Sequence, residues 1–158
     1  VLAHAMALIR RDILKLEGPD PDRCAVAALY HDVSETLTGD MPTPIKYYNK
    51  HIHGAYKELE KYACEKMVEM MPEEMRGGIA PYVLADEDSV EYALVKAADK
   101  FSAYIKCLEE LRSGNNEFAK AKKTIEEDLK ARNMPEVDYF FKHFVKAFSL
   151  TLDELESL

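Results

Sequence analysis

The chain has 158 residues, 47% of them apolar and 32% charged, which is the balance of a single globular domain with a sizeable core. Its longest apolar run, Ala25 to Tyr30, is far too short to cross a bilayer, so no membrane partner is expected. A formal charge of −8 argues against a nucleic-acid polymer as ligand, because backbone phosphates demand clustered Lys and Arg.

The first 16 residues are apolar and helix-favouring, and Gly18-Pro19 ends that stretch. Asp20 has the chemistry of an N-cap and Pro21 that of a first helical residue. The spacing of Ala25, Val26, Ala28, Leu29, Val33 and Leu37 predicts a helix running to Gly39. The segment Asp40-Met41-Pro42-Thr43-Pro44 is expected as a loop held by its two prolines. A long charged helix is predicted from Ile45 to Met71, and Pro72 restarts a short segment reaching Gly77-Gly78. Residues 89–112 show another strong helix, with Leu94, Ala98, Phe101, Ile105, Leu108 and Leu111 on one stripe and Ser113-Gly114-Asn115 as its end. Two more helices are expected, over 117–131 and 135–148. Strand-like alternation is absent, so the expected fold class is all-α, without linker, repeat or low-complexity tract.

Cys24, Cys64 and Cys107 are widely spaced, odd in number and free of any CxxC pairing, as expected of reduced thiols in a cytoplasmic protein. No signal peptide is visible. The chain opens at Val1 and is expected to be truncated at its N-terminus.

The chemistry concentrates in Tyr30-His31-Asp32-Val33-Ser34-Glu35. Three titratable groups follow directly on the most apolar run of the chain, where burying them without partners costs several kcal/mol. A divalent ion would compensate, since imidazole and carboxylate are suitable ligands for zinc, manganese, cobalt or iron. On a continuous helix Glu35 would share a face with His31 and Asp32. The plainer alternative has His31 at the edge of the core and both acids in solvent. Asp99, beside an apolar stripe on a different helix, would supply a ligand from across a bundle; alone, it would simply face water. The loop after the His31 helix is a natural place for substrate contacts, or else a Pro-braced connection. His51 and His53 stand two apart, point in different directions on a helix and are expected at the surface. Tyr139, Phe140, Phe141, Phe144 and Phe148 are expected in the core or at a dimer surface.

The run from Ala28 through Tyr47, which includes His31-Asp32-Val33-Ser34-Glu35 and Thr38-Gly39-Asp40-Met41-Pro42-Thr43-Pro44, closely resembles the bacterial 5′-deoxynucleotidase YfbR family of the HD superfamily. So do Leu94 to Asp99, Cys107 to Leu111, Gly114 to Phe118 and Asp138-Tyr139-Phe140, so the likeness spans nearly the whole chain. The resemblance implies a single HD-domain helical bundle over residues 1–158, with one divalent metal ion per subunit. His31, Asp32 and Asp99 would be three of its ligands, with cobalt, manganese or another transition metal bound. It implies Glu35 as a catalytic acid, with Asp40, Met41, Pro42 and Thr43 in a substrate-contacting loop. Asp32 and Asp99 would lie next to the same substrate, Asp40 would contact the sugar or protonate the departing 5′-oxygen, and Lys46 is a candidate for holding phosphate charge. The implied substrate is a deoxyribonucleoside 5′-monophosphate, the implied assembly a homodimer. A first metal-binding His and an Arg-Trp pair that excludes the 2′-hydroxyl are expected before Val1. His4 corresponds to a separate histidine. The alternatives are an HD phosphohydrolase acting on nucleoside triphosphates or cyclic phosphodiesters, and a non-catalytic HD regulatory module.

Overall fold

The structure is a computed structural model that describes residues 1–156. Among the described residues every regular element is helical and no strand forms. The helices are α1 (Leu2–Leu8), α2 (Pro21–Tyr30), α3 (Glu35–Thr38), α4 (Thr43–Lys46), α5 (Lys50–Glu69), α6 (Glu73–Val83), α7 (Val90–Arg112), α8 (Ala119–Ala131), α9 (Pro135–His143) and α10 (Leu152–Leu155). Short 3₁₀ turns cover Asn116–Phe118 and Val145–Ser149. The all-α expectation therefore holds. No helix of the described residues is long and apolar enough to cross a membrane.

The backbone falls into two compact units, Val1–Ala25 with Ala93–Leu158, and Val26–Tyr92. The core of the first is built from Met6, Ala7, Ile9, Cys24, Leu94, Ala97, Phe101, Tyr104, Leu129, Val137 and Phe140. Phe101 lies at its centre, 4.5 Å from the Phe140 ring and 5.0 Å from Phe141, in the tilted arrangements aromatic quadrupoles favour. Tyr139, Phe141 and Phe148 pack against this cluster, which places the expected aromatic run in the core except at Phe144, which is exposed. One charged side chain is fully enclosed here: Glu136, whose carboxylate accepts from Arg10 Nη1 at 2.6 Å. The same guanidinium donates through Nε to the Glu17 carbonyl at 2.5 Å.

The second unit is built on α5, which contacts α3, α4 and α6. Tyr56 and Ala63 of α5 and Val83 of α6 are buried, and Tyr30 and Tyr82 stack at 6.1 Å. Arg76 donates to the carbonyls of Glu69 and Met71, satisfying groups that the end of α5 leaves without helical partners.

Several boundaries match the sequence expectations. Asp20 Oδ1 accepts from the backbone of Asp22 and Arg23, as an N-cap does. Ser89 caps α7 by accepting from Tyr92 N. Gly114, at φ 86°, closes α7 in a Schellman motif, with Asn115 N bonded to Glu110 O and Gly114 N to Leu111 O.

Other boundaries differ. The N-terminal helix becomes a π-helix over Ile9–Ile13. The expected helix from 20 to 39 is two helices: residues 31–34 form turns, and bonds such as Val33 N to Tyr30 O and Glu35 N to Asp32 O are of the i→i+3 kind. The long helix expected from Ile45 begins only at Lys50, where the Asn49 side chain caps it by accepting from Ile52 N. The segment after Pro72 does not stop at Gly77-Gly78 but continues as α6 through Pro81. In α7 the buried face follows Leu94, Ala98, Phe101, Tyr104 and Cys107, while Ile105 and Leu111 are only partly covered.

Candidate functional site

The turn that interrupts the expected helix carries the first candidate residues. Residues 31–34 form turns directly after α2, and within them the side chains of His31 and Asp32 approach each other. His31 Nε2 lies 2.9 Å from Asp32 Oδ2, and His31 Nδ1 lies 2.7 Å from the Ala28 carbonyl. A carbonyl only accepts, so Nδ1 must carry a hydrogen, which leaves Nε2 of the neutral ring with a lone pair aimed at a carboxylate oxygen. Two electron-rich atoms at this separation call for positive charge, supplied by a second ring proton or by a cation. A histidine whose outer nitrogen is fixed by a backbone carbonyl is the usual orientation of a metal ligand. The donor chemistry therefore fits a divalent ion, and His31 and Asp32 belong to a His/Asp group that could hold one.

Glu35 opens α3, three residues after Asp32. Burial pushes its carboxyl above the ordinary glutamate range, and the charges of Asp32, Asp40 and Glu60 push the same way against Lys46. A carboxyl raised in this way is better suited to acid–base work than an ordinary glutamate. Ser34, just before it, is buried, and its hydroxyl hydrogen-bonds the thiol of Cys64 on α5; burial raises that thiol's pKa.

The segment that follows reverses direction at Gly39. Its φ of 70° and ψ of 163° belong to a region open essentially to glycine alone. Asp40, Pro42 and Thr43 are exposed and Met41 is partly covered. The Pro42 carbonyl accepts from Ile45 N and Lys46 N, so the end of the expected loop is drawn into the single turn of α4. Lys46 Nζ lies 2.9 Å from Glu60 Oε1 and 4.7 Å from the centre of the Tyr56 ring. Desolvation, the largest single influence, works to lower its pKa, but the bond to Glu60 and the charges of Glu60, Tyr47 and Tyr56 together outweigh it and hold the ammonium above the ordinary lysine value. Asp99 stands in the middle of α7, just past the buried Ala97 and Ala98.

His51 is exposed, as expected. His53 is not a plain surface residue: it is half-buried, with its ring 4.8 Å from that of Tyr47. Residue spacing alone does not mark Tyr56 and Glu60 as partners of the loop. Their only signature is a spacing of four on an amphipathic helix, which many residue pairs share.

An all-α chain with a His-Asp pair at the end of a half-buried helix and a carboxylate one turn on has the make-up of an HD-domain protein. The model of the 5′-deoxynucleotidase YfbR-like family matches residues 1–148. The 5′-deoxynucleotidase of Erwinia tasmaniensis is 50% identical over 157 residues, 98% of this chain and 78% of the relative. The 5′-deoxynucleotidase YfbR of Escherichia coli is 50% identical over 159 aligned positions, again 98% and 78%. A 5′-deoxynucleotidase of Photobacterium profundum is 49% identical across 98% of this chain and 79% of its own length. The chain belongs to the YfbR-like 5′-deoxynucleotidase family.

Proposed function

We propose that this protein is a metal-dependent 5′-deoxynucleotidase, hydrolysing deoxyribonucleoside 5′-monophosphates to deoxyribonucleosides and phosphate. The observation that carries the reading is family membership at about half identity across 98% of the chain, together with the opposed His31 and Asp32. His31, Asp32 and Asp99 have the composition of a divalent-cation site and are its proposed ligands. When bound, such an ion lowers the pKa of water towards ~7 and offsets charge on phosphoryl oxygens. It also answers how a chain of charge −8 holds an anionic substrate.

The remaining work falls to the protein. Glu35, with its raised pKa, accepts the proton of the attacking water as the new P–O bond forms. The bond from phosphorus to the 5′-oxygen breaks, and that oxygen takes up a proton. Asp40 either donates it or contacts the sugar, and Asp40→Asn separates the two: loss of a donor lowers kcat, whereas loss of a sugar contact raises KM. Met41, Pro42 and Thr43 contact the nucleoside, Asp32 and Asp99 adjoin the phosphate, and Lys46 adds positive charge nearby.

Preference for deoxy over ribose, use of cobalt or manganese, a homodimeric assembly and a cytoplasmic location complete the proposal, on the strength of the family resemblance. Phosphate release should be measured on full-length protein with deoxy- and ribonucleoside monophosphates, nucleoside triphosphates and cyclic phosphodiesters, each with several divalent ions. Release from deoxynucleoside monophosphates alone is the expected result. Turnover confined to triphosphates or diesters would replace the reading with another HD phosphohydrolase, and inactivity with every ion would replace it with a regulatory module.

A further inference from the structure

Two side chains one turn apart on α5 grip both ends of the loop that precedes the helix. The Tyr56 hydroxyl donates to the Gly39 carbonyl at 2.9 Å, at the peptide leading into Asp40. Glu60 accepts from Lys46 Nζ, also at 2.9 Å, at the far end. Tyr56 contacts both ends, its hydroxyl at residue 39 and its ring face 4.7 Å from the Lys46 ammonium. It is only 4% exposed, and the side chains of Lys46 and Glu60 are about three-quarters covered. Neither contact is needed to make α5, whose backbone bonds are internal; a spacing of four simply puts both groups on the face that meets the loop.

The segment between these grips has little freedom of its own. Pro42 and Pro44 fix two φ angles, and Gly39 sits in a conformation that other residues avoid. Holding a binding segment in its working geometry removes an ordering cost that substrate binding would otherwise meet.

We propose that Tyr56 and Glu60 are positioning residues for the hydrolysis, setting Asp40 to Thr43 in the geometry that receives the nucleotide. This rests on the reading of that loop as the substrate-contacting segment. Both act through the loop and touch no reacting atom.

The test is steady-state kinetics of full-length protein on a deoxynucleoside monophosphate. Tyr56→Phe deletes one hydroxyl and keeps the ring beneath Lys46. Its KM should rise roughly fivefold, the worth of one net hydrogen bond, with kcat little changed. Thr43→Ala should raise KM by itself, and the double variant should lose less than the product of the two single losses, because both act on one loop. Glu60→Ala should also raise KM, and Glu60→Gln, which still accepts from Lys46, should restore most of the loss. If Thr43→Ala raises KM while Tyr56→Phe does not, or if the two losses simply multiply, the positioning role is overturned and the substrate loop stands. If Thr43→Ala leaves KM untouched, the loop reading fails and this inference falls with it. A lowered melting temperature with unchanged KM would mark Tyr56 as purely structural and likewise overturn the proposal.

Discussion

His31 and Asp32, adjacent in sequence, face each other at 2.9 Å through Nε2 and Oδ2, while the opposite ring nitrogen is committed to the Ala28 carbonyl. The Ala28 carbonyl fixes the ring's rotation through Nδ1, which leaves Nε2 turned toward Asp32. Asp32→Ala should remove bound metal from the purified protein while leaving its helical circular dichroism intact. Elemental analysis decides this, and metal retained at the wild-type ratio would remove Asp32 from the proposed ligand set.

Glu35 separates binding from chemistry. Glu35→Gln should keep the metal yet lower kcat by ~10²–10⁴-fold, the usual contribution of a positioned acid–base group. Its raised pKa also has a stability consequence. The favourable contribution of the protonated form is complete below the ordinary glutamate range and is lost as pH rises through the folded-state value. At neutral pH in metal-free protein the carboxylate is therefore a strain on the fold, and the glutamine variant should melt higher than wild type. Thermal scans with chelator present test the sign.

Gly39→Ala isolates backbone conformation, because a Cβ built there meets nothing within 4 Å. The cost should be ~1–3 kcal/mol, arising from the positive φ alone. Denaturant unfolding would reveal it, and a change near zero would mean that the loop relaxes.

Arg10 and Glu136 lie 126 residues apart and form an ion pair whose acidic partner is fully enclosed. Arg10→Met should destabilise by ~3–5 kcal/mol, because it strands a buried carboxylate. The double change Arg10→Met with Glu136→Leu should recover much of that loss. A double variant as unstable as the sum of both singles would contradict this account of the pair.

Tyr104 donates to Glu126 Oε2 at 3.2 Å. Burial and the Glu126 charge push its phenol up to about 12. Stability linked to this tyrosine is therefore intact below its ordinary value and is lost as pH rises from there toward about 12. Tyr104→Phe should flatten the alkaline limb of the stability profile. On the acid side Glu126 is held below its ordinary range, chiefly by the bond from Lys130, so its contribution is present at neutral pH and lost as pH falls through that lowered value.

What could be foreseen from the amino acids was local chemistry. Asp20 and Gly114 announce helix ends because a cap needs only the nearest few peptides, and both act as their side chains dictate. Leu94 and Phe101 declare the buried face of α7, although past Phe101 the face follows Tyr104 and Cys107 because α8 and α9 supply the aromatic and aliphatic partners. The turn at 31–34 was hidden, since Val33 and Leu37 continue the helical spacing straight through it. The passage of α6 through Gly77, Gly78 and Pro81 was hidden too: glycine costs a helix only about 1 kcal/mol each, and packing on α5 outweighs that preference. His31, Asp32, Glu35 and Asp99 are candidates by residue type and family likeness. Tyr56 and Glu60 are not legible in the sequence because their partners lie 17 and 14 residues away, respectively, and hydrogen bonds across such a span leave no mark in local spacing.

The first compact unit joins residues 1–25 to everything from Ala93 onward. During synthesis, then, Met6, Ala7 and Ile9 leave the ribosome long before Phe101, Leu129 and Phe140 exist to cover them. The intervening unit, Val26–Tyr92, is complete in sequence as soon as Tyr92 has emerged. A nascent chain halted near that point would carry an orphaned greasy N-terminal helix, making it a natural client for chaperones and an early target for proteases.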